Sequence, residues 1–327
     1  MIILLLDINS YFCTLIEKEM KGPLFYAKIL LFGEYGIIKD SKGLAIPYNT
    51  YRGALKTSEN LEGISKTSNQ NLYKFYDYIS NLKSDLVSFN VNEFKADLEN
   101  GMYFDSSIPQ GYGVGSSGAL VASIYDKYAQ DKITVLENLT REKLLKLKAI
   151  FSLMESFFHG NSSGLDPLNS YLSLPILINS KENIEPAGIP SQKEGKGAVF
   201  LLDSEQAGET EPMVNIFMNK MKNEGFRKML SEEFAIHTDA CIEDFLQGNV
   251  KSLFSNVKSL SKVVLKNFKP MIPDAFHKVW AKGISTNDYY LKLCGSGGGG
   301  YILGFTQDYE KAQKSLENYK LELVYRF

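Results

Sequence analysis

The sequence predicts an α+β protein built in two units, and three observations carry that prediction. An apolar, β-rich run, Phe25 to Phe32, lies near the start of the chain. Helical patterns dominate the middle, the clearest from Thr140 to about Phe158. From Tyr289 onward the chain reads strand, glycine-rich turn, strand, helix, strand, the order of a small α+β second domain.

Bulk properties narrow the class. A chain of 327 residues has room for two domains. With 44% hydrophobic and 23% charged residues it has the composition of a protein with an ordinary core. A net charge of -2 argues against a general nucleic-acid or membrane-surface binder. The three cysteines (Cys13, Cys241, Cys294) and three histidines show neither metal spacing nor a disulfide framework, which points to a reducing cytoplasm. Ile2 to Leu6 is too short for a membrane span and lacks the basic flank of a signal peptide. Met20 opens a segment that runs straight into the first strand. Residues 1–19 are therefore expected to be an upstream extension, with an N-terminal domain over 20–185 and a C-terminal domain over 186–327.

The elements follow in order. Phe25 to Phe32 is a strand with Lys28 at its centre, either an edge lysine facing solvent or a cation aimed at a charged ligand. After a turn at Lys39 to Gly43, Leu44 to Tyr48 reads as a second strand. Residues 50–105 are mixed: a polar stretch from Asn60 to Asn71, then a helix from Leu72 to Leu82. A helix is expected over Ser117 to Tyr128, followed by a short segment, Lys132 to Leu136. Thr140 is a candidate N-cap for the next helix, whose buried face is Leu144, Leu147, Phe151, Met154 and Phe158. Tyr171 to Ile178 looks like a strand, and Asn179 to Gly197 like a polar boundary. Ala198 to Leu202 is a strand, Thr210 lies in the loop after it, and helical patterns cover 212–224, 231–247 and 249–266. Strands at Tyr289 to Leu293, Tyr301 to Phe305 and Leu321 to Phe327 enclose a helix over Tyr309 to Asn318.

The chemistry concentrates at Pro109 to Ala122, PQGYGVGSSGALVA. Glycines let a backbone turn tightly and approach a ligand, and a helix starting near Ser116 aims its free N–H groups into that turn, a site for phosphate oxygens. A Walker loop is excluded because no lysine follows the glycines. Gly113, Gly115 and Gly118 do spell the dinucleotide fingerprint, with Glu137 near the offset of its ribose-binding acid. That fingerprint follows a buried parallel strand, whereas Asp105 to Gln110 is polar and broken by proline. Two carboxylates lie downstream. Glu155 is on or beside the apolar face of its helix, where it needs a cation, a hydrogen-bond network or a metal, and Asp166 is in a glycine-punctuated turn. With Lys28 they form the set that phosphoryl transfer uses: metal ligand, base and cation.

Three stretches in this order resemble the GHMP kinase superfamily, which includes galactokinase, homoserine kinase, mevalonate kinase and phosphomevalonate kinase. The first is Lys28 to Gly36, KILLFGEYG. The second is Pro109 to Gly118 against P-x-x-x-G-L-G-S-S-A, with Val114 for Leu and Gly118 for Ala. The third is Lys292 to Gly300 against K-x-x-G-A-G-G-G-G. Within the superfamily the mevalonate kinase branch is most similar, through Glu155, the turn His159 to Asp166, and Lys28 before Gly33-Glu34. Ser162 stands for a Pro of that turn, Phe32 for the His before Gly-Glu, and Tyr35 for the His that often follows. The resemblance implies an N-terminal domain like domain 2 of ribosomal protein S5 and a ferredoxin-like C-terminal domain, with the site between them. It implies ATP and Mg²⁺ as cofactors, with Gly111, Gly113, Val114, Gly115, Ser116, Ser117, Gly297 and Gly298 at the nucleotide, and Ser117 and Glu155 at the metal. Asp166 is implied as base and Lys28 as its cation, and Glu34, Tyr35, His159, Thr210, Gly295 and Ser296 at the acceptor end. The expected activity is phosphorylation of a small alcohol, mevalonate first. Another acceptor (phosphomevalonate or a sugar) and a catalytically silent binder are the alternatives. The expected partner is that alcohol, with no nucleic acid and no membrane, and a homodimer is left open.

Overall fold

The structure, a computed structural model, describes residues 22–39, 41–134, 139–192 and 194–327. Residues 1–19, Glu137 and part of the Lys132 to Leu136 segment lie outside the described residues.

The first sheet is built from β1 (Phe25–Phe32), β2 (Gly43–Thr57), β3 (Met102–Ser106), β4 (Ile176–Ser180) and β5 (Asn183–Pro186). Its order is β1-β2-β4-β5, and β3 pairs with the far half of β2. Every pairing in it is antiparallel. The helices α1 (Gly63–Ser80), α2 (Val91–Glu99), α3 (Ser116–Tyr128), α4 (Arg141–His159) and α5 (Leu165–Leu172) belong to the same half. Six of the eight residues of β1 are buried, which is why its sequence, Lys28 apart, is apolar and does not alternate.

The second sheet holds β6 (Ala198–Asp203), β7 (Tyr290–Leu293), β8 (Tyr301–Thr306) and β9 (Leu321–Arg326) in the order β7-β8-β6-β9, again antiparallel. Between β6 and β7 run α6 (Thr210–Lys220), α7 (Glu224–Met229), a π-helical turn (Leu230–Phe234), α8 (Ala235–Gln247), α9 (Val250–Asn267) and α10 (Asp274–Thr286). The helix α11 (Tyr309–Ser315) precedes β9. With the helices before β7 taken as one crossover, this is the βαββαβ, ferredoxin-like arrangement that the resemblance implied. The core runs unbroken from one sheet into the other.

Four local expectations are corrected. The polar stretch after Asn60 is helical from Gly63, because Glu62 and Ser65 form a capping box. One of its polar residues, Asn69, is buried where its amide donates to the carbonyls of Leu98 (3.2 Å) and Met102 (2.6 Å). Tyr171 is in a helix, not a strand: α5 begins after left-handed Gly164 and ends at left-handed Ser173, so β4 starts only at Ile176. Phe158, expected on the buried face of α4, is 38% exposed, lying in the last turn of the helix, which ends one residue later at His159. Thr210 is the first residue of α6 and not part of the loop before it.

Candidate active site

The glycine-rich loop before α3 is held by β1. The Lys28 amide donates to the Val114 carbonyl (3.0 Å), and Val114 is buried. Gly115, at φ 82°, caps α3 in the left-handed region, where a side chain is disfavoured. The α3 N-terminus, with Ser116 and Ser117 in its first turn, therefore opens directly beside Lys28.

Lys28 is only 4% exposed and pairs with Asp166, Nζ to Oδ1 2.9 Å. Burial works against its ammonium, but the Asp166 carboxylate beside it, with a smaller contribution from Glu155, outweighs that cost and holds its pKa above the ordinary value. Asp166 reaches the loop because α3 and α5 touch at Gly118. A Cβ there would stand 2.8 Å from the Asp166 carbonyl carbon.

Glu155, on the last turns of α4, accepts from Ser117 Oγ (3.2 Å) and, through its other oxygen, from Ser162 Oγ. His159 Nε2 lies 3.1 Å from the same Ser117 hydroxyl. Burial first, and the Asp166 charge second, push the Glu155 carboxyl up to about 7. Burial holds the His159 imidazole below its ordinary value, against a partly compensating pull from Asp166. Among the described residues no three His, Cys, Asp or Glu side chains form a metal cage. Ser117 and Glu155 do fit Mg²⁺, which takes one or two protein oxygens and completes its shell with phosphate and water. A buried carboxyl made difficult to ionise by a neighbouring carboxylate is a site where a divalent cation relieves the repulsion.

The second half of the molecule closes over this loop. Gly113 faces Cys294 and Gly295: a Cβ at Gly113 would be 2.5 Å from the Cys294 carbonyl oxygen. Gly208 N–H donates to Gly111 O (2.8 Å), and Tyr301 N–H to Tyr112 O (3.3 Å). Burial pushes the Cys294 thiol up to about 11. A Cβ at Gly297 would meet the Met271 carbonyl oxygen and one at Gly298 the Met213 side chain, and the Gly298 N–H is given to the Met271 carbonyl (2.7 Å).

The residues expected at the acceptor end divide into two groups. Glu34, Tyr35, Ser296 and Thr210 come together: the Tyr35 hydroxyl donates to the Ser296 carbonyl (2.7 Å), and Ser296 Oγ lies 3.5 Å from Thr210 Oγ1. His159 sits instead with Ser117 and Glu155. Burial raises the Glu34 carboxyl, which is opposed by its direct ion pair with Lys292. Lys292 and Ser162 were missed as site residues. Lys292 had a readable signal, a lysine inside an apolar strand, whereas Ser162 had none beyond a polar turn. The dinucleotide alternative fails on topology: the glycine loop follows β3, which is antiparallel to β2, and the fingerprint needs a parallel strand.

No protein-family model matches the chain, and no curated protein matches it in sequence. Its structure is similar to that of solved kinases over almost its whole length. L. major mevalonate kinase in complex with R-mevalonate superposes with a TM-score of 0.63 at 15% identity, covering 94% of this chain and 96% of the other. Lactococcus lactis galactokinase complexed with galactose gives 0.61 at 13% identity, covering 99% and 98%. Streptococcus pneumoniae phosphomevalonate kinase in complex with phosphomevalonate and AMPPNP gives 0.58 at 13% identity, covering 93% and 100%. The chain has the GHMP kinase fold.

Proposed function

We propose that this protein is an ATP- and Mg²⁺-dependent phosphotransferase acting on a small alcohol, with mevalonate as the leading acceptor. The observation that carries this reading is the Lys28–Asp166 pair set against the first turn of α3. A helix N-terminus that accepts phosphate oxygens, a buried cation and a carboxylate then meet at one point. Ser117 and Glu155 would hold Mg²⁺, which supplies charge neutralisation on the β- and γ-phosphates.

The roles of the chain's own groups follow from their chemistry. The acceptor hydroxyl oxygen attacks the γ-phosphorus, the bond to ADP breaks, and the hydroxyl proton passes to Asp166. An alcohol is far from ionised at neutral pH, so positioning and a nearby base matter more than a preformed alkoxide. Lys28 pairs with Asp166, holding its carboxylate in place, and faces the charge that develops on the transferring group. The two described cysteines are free thiols, and no helix among the described residues is long and apolar enough to cross a membrane. Both features suit the cytoplasmic setting of this reading.

A phosphorylated acceptor would call for a further cation beside the two buried lysines of the site. Lys28 and Lys292 are both paired with carboxylates. Of the four arginines, Arg141, Arg227 and Arg326 bind backbone carbonyls, and Arg52 is exposed on β2. A second reading, a sugar as acceptor, is supported by the likeness to galactokinase, which covers 99% of this chain.

The test is ADP release from ATP–Mg²⁺ with mevalonate, phosphomevalonate, galactose and homoserine as acceptors. Release confined to mevalonate is expected, with kcat lowered roughly 10²-fold in Asp166→Asn while ATP binding is retained. Release with another acceptor moves the substrate and keeps the reaction. Near-normal turnover in Asp166→Asn removes that residue as the base, and ATP binding without turnover on any acceptor favours the silent binder.

A further inference from the structure

The turn after β1 grips the far half of the molecule with two consecutive residues. Glu34 forms its ion pair with Lys292, and both side chains are almost fully buried, 6% and 2% exposed. Lys292 also donates to the Leu293 carbonyl (2.9 Å), and its charge lies 5.9 Å from the centre of the Phe32 ring. Next to Glu34, Tyr35 stands at φ 58°, a left-handed conformation that costs a non-glycine residue energy. Its ring stacks on Phe217 of α6 at 4.6 Å, and its hydroxyl holds Ser296.

These contacts bracket the Cys294 to Gly300 loop. Lys292 is the last residue but one of β7 before that loop, Ser296 is inside it, and Gly295 backs onto Gly113 of the nucleotide loop. Stability is a poor reason for such a pair. Two charges taken out of water cost several kcal/mol each, and apolar residues of similar volume hold an interface at least as well. An ion pair differs from an apolar contact in being directional.

We infer that Lys292 is a positioning residue: clamped by Glu34, it fixes the C-terminal glycine loop in register over the nucleotide loop so that the phosphate to be transferred meets Asp166. This rests on the phosphotransferase reading. Neither lysine nor glutamate touches the reacting atoms in this scheme. They act through the loop, and the strained Tyr35 makes the second attachment.

The test removes both charges together, in Lys292→Met/Glu34→Met, because removing either alone would leave an unpaired buried charge. The expected result has two parts. Amide hydrogen exchange across 294–300 becomes about tenfold faster while exchange in β1 is unchanged, the sign of a locally released loop in an intact fold. In the same variant kcat falls roughly 10²-fold, the scale for misplacing a reacting group by about 1 Å, with KM for the acceptor little altered. Wild-type exchange across the loop, or a kcat within about twofold of wild type when the ~10²-fold loss is expected, overturns the inference. Should the double variant fail to fold, Tyr35→Phe decides: it removes only the hydroxyl on Ser296, and faster exchange confined to 294–300 supports the clamp while unchanged exchange overturns it. A wild-type protein that releases no ADP with any acceptor would defeat the phosphotransferase reading instead, and exchange would still report whether the clamp holds the loop.

Discussion

Gly118 shows how narrowly one residue sets the site. The GHMP pattern has Ala at this position, and Ala is ordinarily the better helix residue by up to about 1 kcal/mol. Here a Cβ would sit 2.8 Å from both the Asp166 carbonyl carbon and the Pro167 nitrogen, and backbone cannot turn aside as a flexible side chain can. The steric term therefore wins. Gly118→Ala should destabilise the protein by about 1–3 kcal/mol, the cost of overpacking, read as a lower urea midpoint. It should also lower kcat, because relief comes by moving α5 and with it Asp166. A variant as stable as wild type would show that the two helices are less tightly joined than this geometry requires.

Among the elements, the contact of α2 with α3 has a pH signature. Asp97 of α2 accepts from the Tyr128 hydroxyl (2.6 Å) and pairs with Lys127 (2.7 Å), both on the last turn of α3. Burial alone would raise the Asp97 carboxyl, but the Lys127 and Tyr128 hydrogen bonds outweigh it and hold its pKa below the ordinary value. A depressed folded-state pKa contributes stability that is complete above the unfolded value, about 3.9, and is lost as pH falls through the folded value. Asp97→Asn should therefore lower the denaturation midpoint at pH 7 and leave it nearly unchanged in strong acid. An equal loss at both pH values would assign the effect to packing. At this scale the strands β1, β6 and β8 and the Thr140 cap of α4 were legible, because their signals lie within a few neighbouring residues. The start of α1 was not, since its polar residues look like loop until Asn69 meets the carbonyls of Leu98 and Met102.

The two sheets of the whole molecule are also joined away from the site. Glu322 of β9 accepts from Tyr51 (2.6 Å) and Tyr48 (3.3 Å) of β2 and from Tyr301 (2.7 Å) of β8. Tyr301 packs edge-on against Tyr112 of the glycine-rich loop at 4.9 Å, so this junction also reaches that loop. Burial pushes the Tyr48 hydroxyl up to about 12, which keeps it a donor. Glu322→Leu removes the acceptor that three hydroxyls share, although Tyr51 and Tyr301, 2.7 Å apart, can still bond each other, and should cost about 1–3 kcal/mol. Urea unfolding with an unchanged slope and a lower midpoint is the expected record, and an unmoved midpoint would mean that the sheets are held by their apolar contact alone.

What the sequence by itself determined is local or ordered along the chain: the apolar strands, the capped helix, the glycine loop, and the succession of three motifs that implied the fold. What only the tertiary structure decided is which charges meet. Lys28 could have been an edge lysine until Asp166 was found beside it. Lys292 and Glu34, 258 residues apart, have no shared local pattern and pair only because β7 is folded against the turn after β1. The same holds for Phe158, apolar by spacing yet half-exposed by where its helix ends. Periodicity reports which face of an element is apolar, whereas burial and ion pairing depend on the neighbour that covers that face, and the covering neighbour is set by the fold as a whole.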